Sequence, residues 1–279
     1  MAGVRGAPIL VTGSPRSGTT ITGRLLALPR SAGYVHEPFN PRVGLAENEL
    51  DFPFVAAGDP DPRYEWLVAD LLAGRAAFRR RRPRLRYLGA SWSPLVRRLV
   101  IKDPHACLLT EWLHRRLGWQ AVIVVRHPAA VVASHRRLGW PFGVHSLLAQ
   151  PELRDGPLRG LTAAAGGREL EPLDAWSYLW LGCYSLLAEF AARNPALLLV
   201  RHEDLFADPV AAFRELYGRF ELPWSRRAER RVARAGRESG PLLIRWRKDL
   251  GAGELARIAA IARPLADRFY GEESWRPTG

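Results

Sequence analysis

Five short runs rich in apolar residues are spaced along the chain, each bounded by glycine, proline or polar residues. They lie at 8–12, 33–37, 99–102, 121–126 and 197–201. Short apolar runs without regular polar alternation are typical of strands that are buried on both faces. The pattern therefore predicts five core strands.

The segments between these runs have the apolar spacing of helices. Helices are predicted over 18–28, 62–82, 106–117 and 173–193, with another beginning at Pro128 and two or three more closing the chain. Strands that alternate with helices predict an α/β fold of three layers, α/β/α, around a central parallel sheet. We expect a single domain over residues 1–279, with the proline- and glycine-rich segments 40–62 and 140–172 forming irregular loops.

Three of the predicted strands end in a basic residue, namely Lys102, Arg126 and Arg201. Ligands of open parallel sheets bind beyond the carboxyl ends of the strands. Three cations at that edge of the sheet therefore predict a site for an anion.

The segment Gly13 to Thr20 follows the first strand and reads Gly-Ser-Pro-Arg-Ser-Gly-Thr-Thr. A strand, a glycine-containing turn and a helix start offer free backbone N–H groups to an anion, and Gly18 allows close approach. Arg16 adds a full charge. The nucleotide-triphosphatase loop has the same glycine spacing but continues with lysine, where this chain has Thr19. The segment therefore predicts a phosphate loop that does not hold a Mg²⁺-bound triphosphate.

Composition gives a second reason to expect an anionic partner. The chain has 41 Lys and Arg against 28 Asp and Glu, a formal net charge of +13. The densest basic run, Arg79 to Arg82 with Arg84 and Arg86, is typical of a solvated helix end. No zinc-finger, helix-turn-helix or RNA-recognition motif accompanies it, so we expect no specific nucleic-acid partner.

The remaining composition bears on location. Cys107 and Cys183 lie far apart in the sequence and lack metal-ligand spacing, which disfavours a disulfide framework and favours a reducing cytoplasm. No apolar stretch approaches the roughly 18 residues of a transmembrane helix. The first strand also begins too early for a signal peptide to precede it. We expect a cytoplasmic protein without a bound metal, and the oligomeric state stays open.

Several motifs, in this order along the chain, resemble those of sulfotransferases that use 3′-phosphoadenylyl sulfate (PAPS), in particular bacterial members. Ser14 to Thr20 is similar to the family loop that binds the 5′-phosphosulfate. Arg126 and Ser134, eight residues apart, are similar to its 3′-phosphate motif. Three further segments resemble family segments: 102–104, 201–209 and 245–248. The resemblance runs from residue 8 to about residue 260.

The resemblance implies transfer of a sulfuryl group from PAPS to an acceptor hydroxyl or amine, with adenosine 3′,5′-bisphosphate as product. It implies a 5′-phosphosulfate site formed by Pro15, Arg16, Ser17, Gly18, Thr19 and Thr20. It also implies a 3′-phosphate site formed by Arg126 and Ser134, joined by Arg247 and Lys248. Arg16 and Lys102 are candidates for stabilising the transferred group, since in-line displacement spreads charge over peripheral oxygens.

An acceptor hydroxyl also needs a general base, and three side chains are candidates. Glu37, directly after the second predicted strand, is favoured, and His36 and His105 are the alternatives. The competing interpretation of Glu37 is a rim carboxylate paired with an arginine such as Arg42.

The acceptor, a small molecule or a glycan, is not encoded in a readable motif. We expect segments 40–62 and 140–172 on the acceptor side, with Trp140 and Phe142 as contacts. A stripe of aromatic residues in the helix predicted over 173–193 is more typical of core, and it comprises Trp176, Tyr178, Trp180 and Tyr184. Two other functions stay open: a small-molecule kinase that uses ATP, and a non-catalytic nucleic-acid binder that uses the run from Arg79 to Arg86.

Overall fold

The computed structural model, which describes residues 6–79, 95–140 and 143–275, has a five-stranded sheet at its centre. The strands are β1 (Ile9–Thr12), β2 (Ala32–His36), β3 (Arg98–Lys102), β4 (Gln120–Val125) and β5 (Leu197–Arg201). All paired strands are parallel, in the order β2-β3-β1-β4-β5. Each strand overlaps its predicted run, and the predicted α/β fold with a central parallel sheet is confirmed.

Helices cover both faces of this sheet. Their bounds are Thr19–Leu26 (α1), Pro62–Leu72 (α2), Thr110–Leu117 (α3), Pro128–Leu138 (α4), His145–Leu148 (α5), Pro151–Arg154 (α6), Arg159–Ala165 (α7), Pro172–Arg193 (α8), His202–Ala207 (α9), Pro209–Arg219 (α10), Arg226–Leu243 (α11), Trp246–Asp249 (α12) and Ala252–Ala266 (α13). Short 3₁₀ helices lie at His105–Leu109 and Glu272–Trp275. Proline begins α2, α4, α8 and α10, where its missing N–H costs nothing.

Two hydrophobic cores lie on opposite sides of the sheet. Along β1, Leu10 belongs to one core, whereas Ile9 and Val11 belong to the other. Helices α2, α3, α4, α8 and α13 contribute to the first core, and α1, α9, α10 and α11 contribute to the second. Because both faces are covered, the central residues of the strands are mostly apolar, which makes the strands recognisable in the sequence.

The segment 140–172 differs from its prediction. We predicted an irregular loop, but residues 143–172 contain the short helices α5, α6 and α7. The buried side chains of Leu147, Leu153 and Leu161 join the same core as α8. Some of the prolines and glycines that suggest a loop lie at helix ends, since Pro151 begins α6 and Gly166 follows α7.

The prediction was also wrong on the end of one helix and on the number of helices after β5. Helix α2 ends at Leu72 rather than at 82, because Gly74 adopts a left-handed φ of 71° and its N–H bonds to the Leu71 carbonyl at 3.1 Å. The described chain after β5 has five α-helices (α9 to α13) rather than two or three. Asp208 caps α10 directly after the end of α9, so these two helices follow one another without a loop.

Cys107 and Cys183 are distant in sequence but adjacent in space. Their Sγ atoms lie 3.8 Å apart in the core, and neither forms a disulfide. Across the described ranges, no helix combines the length and apolar character needed to cross a bilayer.

Candidate active site

A cavity of about 700 Å³ opens at the carboxyl ends of β1 to β4. Eleven residues predicted for the site line it: Pro15, Arg16, Gly18, Thr19, Thr20, His36, Glu37, Lys102, His105, Arg126 and Trp140. We call the part formed by residues 13–20 and Arg126 the loop end, and the part formed by residues 36–43 and Lys102 the β2 end. The structure thus brings most of the predicted residues into one space.

The backbone of the phosphate loop takes a form that two glycines permit. Gly13 and Gly18 have φ values of 143° and 92°. A Cβ on Gly13 would lie 2.3 Å from the Val124 carbonyl oxygen, and one on Gly18 would lie 2.3 Å from His202 Nδ1. Arg16 also has a positive φ, 71°, a strained conformation for a residue with a side chain. The loop is therefore fixed in shape, and it leads into α1, whose first N–H groups have no acceptor within the helix.

The hydroxyl of Tyr184, in α8, holds this loop in place through hydrogen bonds. Its hydroxyl lies 2.6 Å from Ser17 Oγ, accepts from the Ser14 N–H at 3.2 Å and donates to the Val124 carbonyl at 2.6 Å. Burial raises the pKa of Tyr184, so it stays a neutral donor. The prediction that the aromatic stripe is core is confirmed, but no sequence pattern indicates that one member organises the loop. Ser17 is fully buried beneath the loop and bonds to Ser14 Oγ at 2.9 Å.

The Arg16 side chain is held by two groups from other elements. Its Nε donates to Ser134 Oγ of α4 at 2.9 Å, and its guanidinium lies 5.2 Å from the centre of the Trp140 ring. Ser134 is itself buried and is absent from the cavity wall. Partial burial and the nearby Arg137 lower the pKa of Arg16, against the opposing effect of Glu37. An anion bound beside Arg16 would offset the repulsion between the Arg16 and Arg137 charges.

Arg126, at the end of β4, meets Arg16 in the same cavity. Its Nη1 donates to the Arg16 carbonyl at 3.3 Å, and its Nη2 donates to the Leu242 carbonyl at 3.2 Å. Its Nε is buried and has no hydrogen-bond partner in the described chain. Burial lowers the pKa of Arg126, and Arg16 adds to that effect while Glu203 opposes it. An unsatisfied buried donor on a cation is a feature that an anionic ligand would satisfy.

Arg201, at the end of β5, does not take part, contrary to the expectation of three cations at one site. Its Nε and Nη2 donate to the Asp204 carboxylate, and its Nη1 donates to the Phe269 carbonyl at 2.8 Å. Its charge is already neutralised by the residue three positions later. The residue before Asp204, Glu203, accepts from the His127 N–H at 3.1 Å and from the Tyr270 hydroxyl at 2.9 Å.

The β2 end is centred on an ion pair between Lys102 and Glu37. Lys102 Nζ donates to Glu37 Oε1, and Asn40 Nδ2 donates to Glu37 Oε2 at 2.7 Å. Burial opposes ionisation of Glu37, but the Lys102 ammonium overcomes this and lowers the pKa of Glu37 to about 2. His36 Nε2 lies 3.8 Å from Glu37 Oε1, and burial together with Lys102 lowers the pKa of His36 to about 4. The sequence interpretation in which Arg42 pairs with Glu37 is wrong, since Arg42 contacts Asp51 at 3.4 Å.

His105 and Asp103 have different roles in the turn that follows β3. His105 lines the cavity, stacks on Phe52 and contacts Asp51 Oδ1 at 3.1 Å. The Asp103 carboxylate is fully buried and accepts from the Phe39 and His105 backbone N–H groups. Burial raises the pKa of Asp103 to about 6. Asp103 therefore ties the β2 end to the turn, and both of its carboxylate oxygens are already engaged by the backbone.

The late basic residues lie beside the loop end and not on the cavity wall. Arg247 Nη2 donates to the Ser274 carbonyl at 3.2 Å, and Trp246 stacks on His127 with ring centres 4.8 Å apart. Lys248 is exposed on α12. Phe142 and the basic run from Arg80 to Arg86 lie outside the described residues. No cluster of three or more His, Cys, Asp or Glu side chains within those residues has metal-binding geometry.

Comparison with known proteins places this geometry in a family. Residues 8–226 match the sequence model of a sulfotransferase family. No curated protein matches the chain.

Three solved structures are similar across most of the chain. A sulfotransferase domain of the Synechococcus PCC 7002 olefin synthase is 16% identical, covers 95% of this chain and 96% of its own, and has a TM-score of 0.50. A sulfotransferase domain from the curacin biosynthetic pathway is 17% identical, with coverages of 92% and 97% and a TM-score of 0.49. A sulfotransferase from Mycobacterium avium is 12% identical, with coverages of 96% and 78% and a TM-score of 0.49. At these identities the likeness concerns the fold.

Proposed function

The chain belongs to the sulfotransferase family, and from that premise we propose that it transfers a sulfuryl group from PAPS to a hydroxyl or amine of a small-molecule or glycan acceptor. The observation that carries the proposal is the meeting of Arg16 and Arg126 in one cavity, with Arg126 Nη1 3.3 Å from the Arg16 carbonyl. Two arginines this close can bind both ends of one doubly phosphorylated nucleotide.

The loop end fits the donor in its chemistry. The helix-start N–H groups, Thr19, Thr20 and Arg16 would hold the 5′-phosphosulfate. The buried Nε of Arg126 is a donor still to be satisfied and would take the 3′-phosphate. We propose Arg247 and Lys248 as further contacts of that phosphate. Ser134 would act there through Arg16, whose Nε it already accepts. When bound, PAPS supplies an activated sulfuryl group joined to a phosphate leaving group.

The β2 end would carry the chemistry. The Lys102 ammonium can neutralise charge on the transferred group only if it leaves Glu37. Once Lys102 turns to an anion, burial of Glu37 raises the pKa of that carboxyl, and Glu37 becomes a stronger base. We therefore propose Glu37 as the residue that accepts the acceptor proton, with Asn40 fixing its orientation.

The acceptor would enter beside the residues of the β2 end that line the cavity, namely His36, Asn40, Arg42 and Val43, with Trp140 on the same cavity wall. A cavity of this volume is within the range of small-molecule sites. The unbridged thiols of Cys107 and Cys183 fit the reducing cytoplasm that we propose as its location.

The test is sulfuryl transfer from ³⁵S-labelled PAPS to a panel of alcohols, phenols, amines and saccharides. We expect labelled product with at least one class, no requirement for added Mg²⁺, and loss of product in Glu37→Gln. Failure to bind adenosine 3′,5′-bisphosphate, together with tight binding of Mg²⁺-ATP, would contradict the proposal and favour a kinase.

A further inference from the structure

Helix α11 carries a strip of arginines that the active site does not use. At about 100° per residue, five exposed arginines fall within an arc of roughly 100° on the side opposite the buried Ala228, Val232 and Ala235. This arginine strip comprises Arg226, Arg227, Arg230, Arg234 and Arg237.

The charge of the strip is largely uncompensated. Arg234 pairs with Glu238 at 2.7 Å. The other four members form no salt bridge with any carboxylate in the ranges that the structure describes. Like charges on one helix face destabilise that helix slightly. A helix that keeps four unpaired cations on one face is therefore suited to an external anionic surface.

Two aliphatic side chains project at the carboxyl end of the same helix. Leu242 is 49% exposed and Ile244 is 59% exposed. Exposed aliphatic residues beside cations suit the boundary between lipid headgroups and acyl chains. Sites for single-stranded nucleic acid instead stack bases on aromatic side chains, and α11 contains no aromatic residue.

We propose that the arginine strip, with Leu242 and Ile244, docks the protein on an anionic phospholipid membrane. Clusters of four or more cations on a helix bind such surfaces in a salt-dependent way. The surface adjoins the active site, because the Leu242 carbonyl accepts from Arg126 Nη2 at 3.2 Å. Docking through α11 would therefore place the loop end of the cavity beside the headgroups.

The experiment is co-sedimentation of the full chain with vesicles of phosphatidylcholine alone or mixed with phosphatidylglycerol. We expect binding only to the mixed vesicles, weakening as salt is raised. The triple variant Arg226→Gln/Arg230→Gln/Arg237→Gln should bind about tenfold or more weakly. Leu242→Ser/Ile244→Ser should bind severalfold more weakly and keep the salt dependence.

A matched control separates the strip from overall charge. Arg115→Gln/Arg159→Gln/Arg168→Gln removes the same charge from segments that pack on the other side of the sheet, and it should bind like the original chain. Thermal melts by circular dichroism check that every variant is folded. The proposal is overturned if the folded chain does not bind anionic vesicles, or if both triple variants lose vesicle binding equally. It is also overturned if the chain binds duplex DNA more tightly than it binds the vesicles.

Discussion

The two ends of the cavity handle charge in opposite ways. At the loop end, Arg16 and Arg126 bond to a hydroxyl and to backbone carbonyls, and within the described chain neither forms a salt bridge with a carboxylate. At the β2 end, Lys102 and Glu37 neutralise each other. The arginines of the loop end favour a permanently anionic ligand. The ion pair of the β2 end can act on a substrate only after Lys102 and Glu37 separate. We therefore expect the loop end to set donor affinity and the β2 end to set turnover.

Glu37→Gln should give the largest effect. Loss of a general base lowers turnover by about 10²- to 10⁴-fold. The affinity for adenosine 3′,5′-bisphosphate should change less than about twofold, since Glu37 lies at the opposite end from the phosphate loop. Single-turnover kinetics and calorimetry measure the two quantities. Asp51→Asn is the matched control, because Asp51 contacts His105 rather than Lys102; a larger loss in that variant would point to His105 as the base.

Arg126→Ala should lower the affinity for adenosine 3′,5′-bisphosphate by about 10²-fold, the size expected for losing charge-assisted hydrogen bonds to one phosphate. Arg201→Ala removes the corresponding arginine from the neighbouring strand, where Asp204 already pairs with it. Its affinity should be that of the original chain. Equal losses in the two variants, measured by calorimetry, would remove the distinction between the two strand ends.

Tyr184→Phe should lower donor affinity by about tenfold, because the Ser14 N–H and the Val124 carbonyl lose a buried partner. The free energy of unfolding should fall by about 1–2 kcal/mol in urea titrations. Tyr178→Phe, on the same helix but half-buried and away from the loop, is the control. If Tyr184→Phe shows the full expected fall in the free energy of unfolding but the folded variant binds the donor as tightly as the original chain, Tyr184 stabilises the core and does not organise the phosphate loop.

The smallest effect concerns pH. The Lys102 ammonium holds the pKa of Glu37 at about 2 in the free protein, so this carboxylate stays ionised until the pH falls through that value. The kcat/KM for the donor, which reports the free enzyme, should vary less than about twofold from pH 5.5 to 8. The acid limb of kcat should lie at higher pH, because Lys102 has left Glu37 in the complex. A tenfold fall in kcat/KM per unit below about pH 6.5 would instead indicate a histidine base with an ordinary pKa.

The sequence was most informative where one residue type has one physical role. The strands were predictable because sheets covered on both faces need continuous apolar runs. The phosphate loop was predictable because only glycine tolerates the contacts at Gly13 and Gly18. Lys102 and Glu37 were both predicted as site residues, since each directly follows or ends a strand at the ligand edge.

The failures arose where a role depends on a distant partner. Arg201 resembles Arg126 in sequence because both end an apolar strand, and no sequence pattern shows that Asp204 neutralises Arg201. Tyr184 reads as core because its partners, Ser14 and Ser17, are far from it in the chain. The pairing of Lys102 with Glu37 likewise joins two separate strand ends. The sequence pattern shows which charged side chains reach the edge of the sheet, but not which of them neutralise each other there.

The most direct test of the account is a calorimetric cycle with two ligands and two proteins. Adenosine 3′,5′-bisphosphate and adenosine 5′-phosphate are titrated into the original chain and into Arg126→Ala, without added metal. If one cavity binds both ends of the nucleotide, the affinity lost on removing the 3′-phosphate from the ligand equals the affinity lost in Arg126→Ala. Making both changes together should lower the affinity little further. Arg126→Ala weakening both ligands to the same degree would contradict the account.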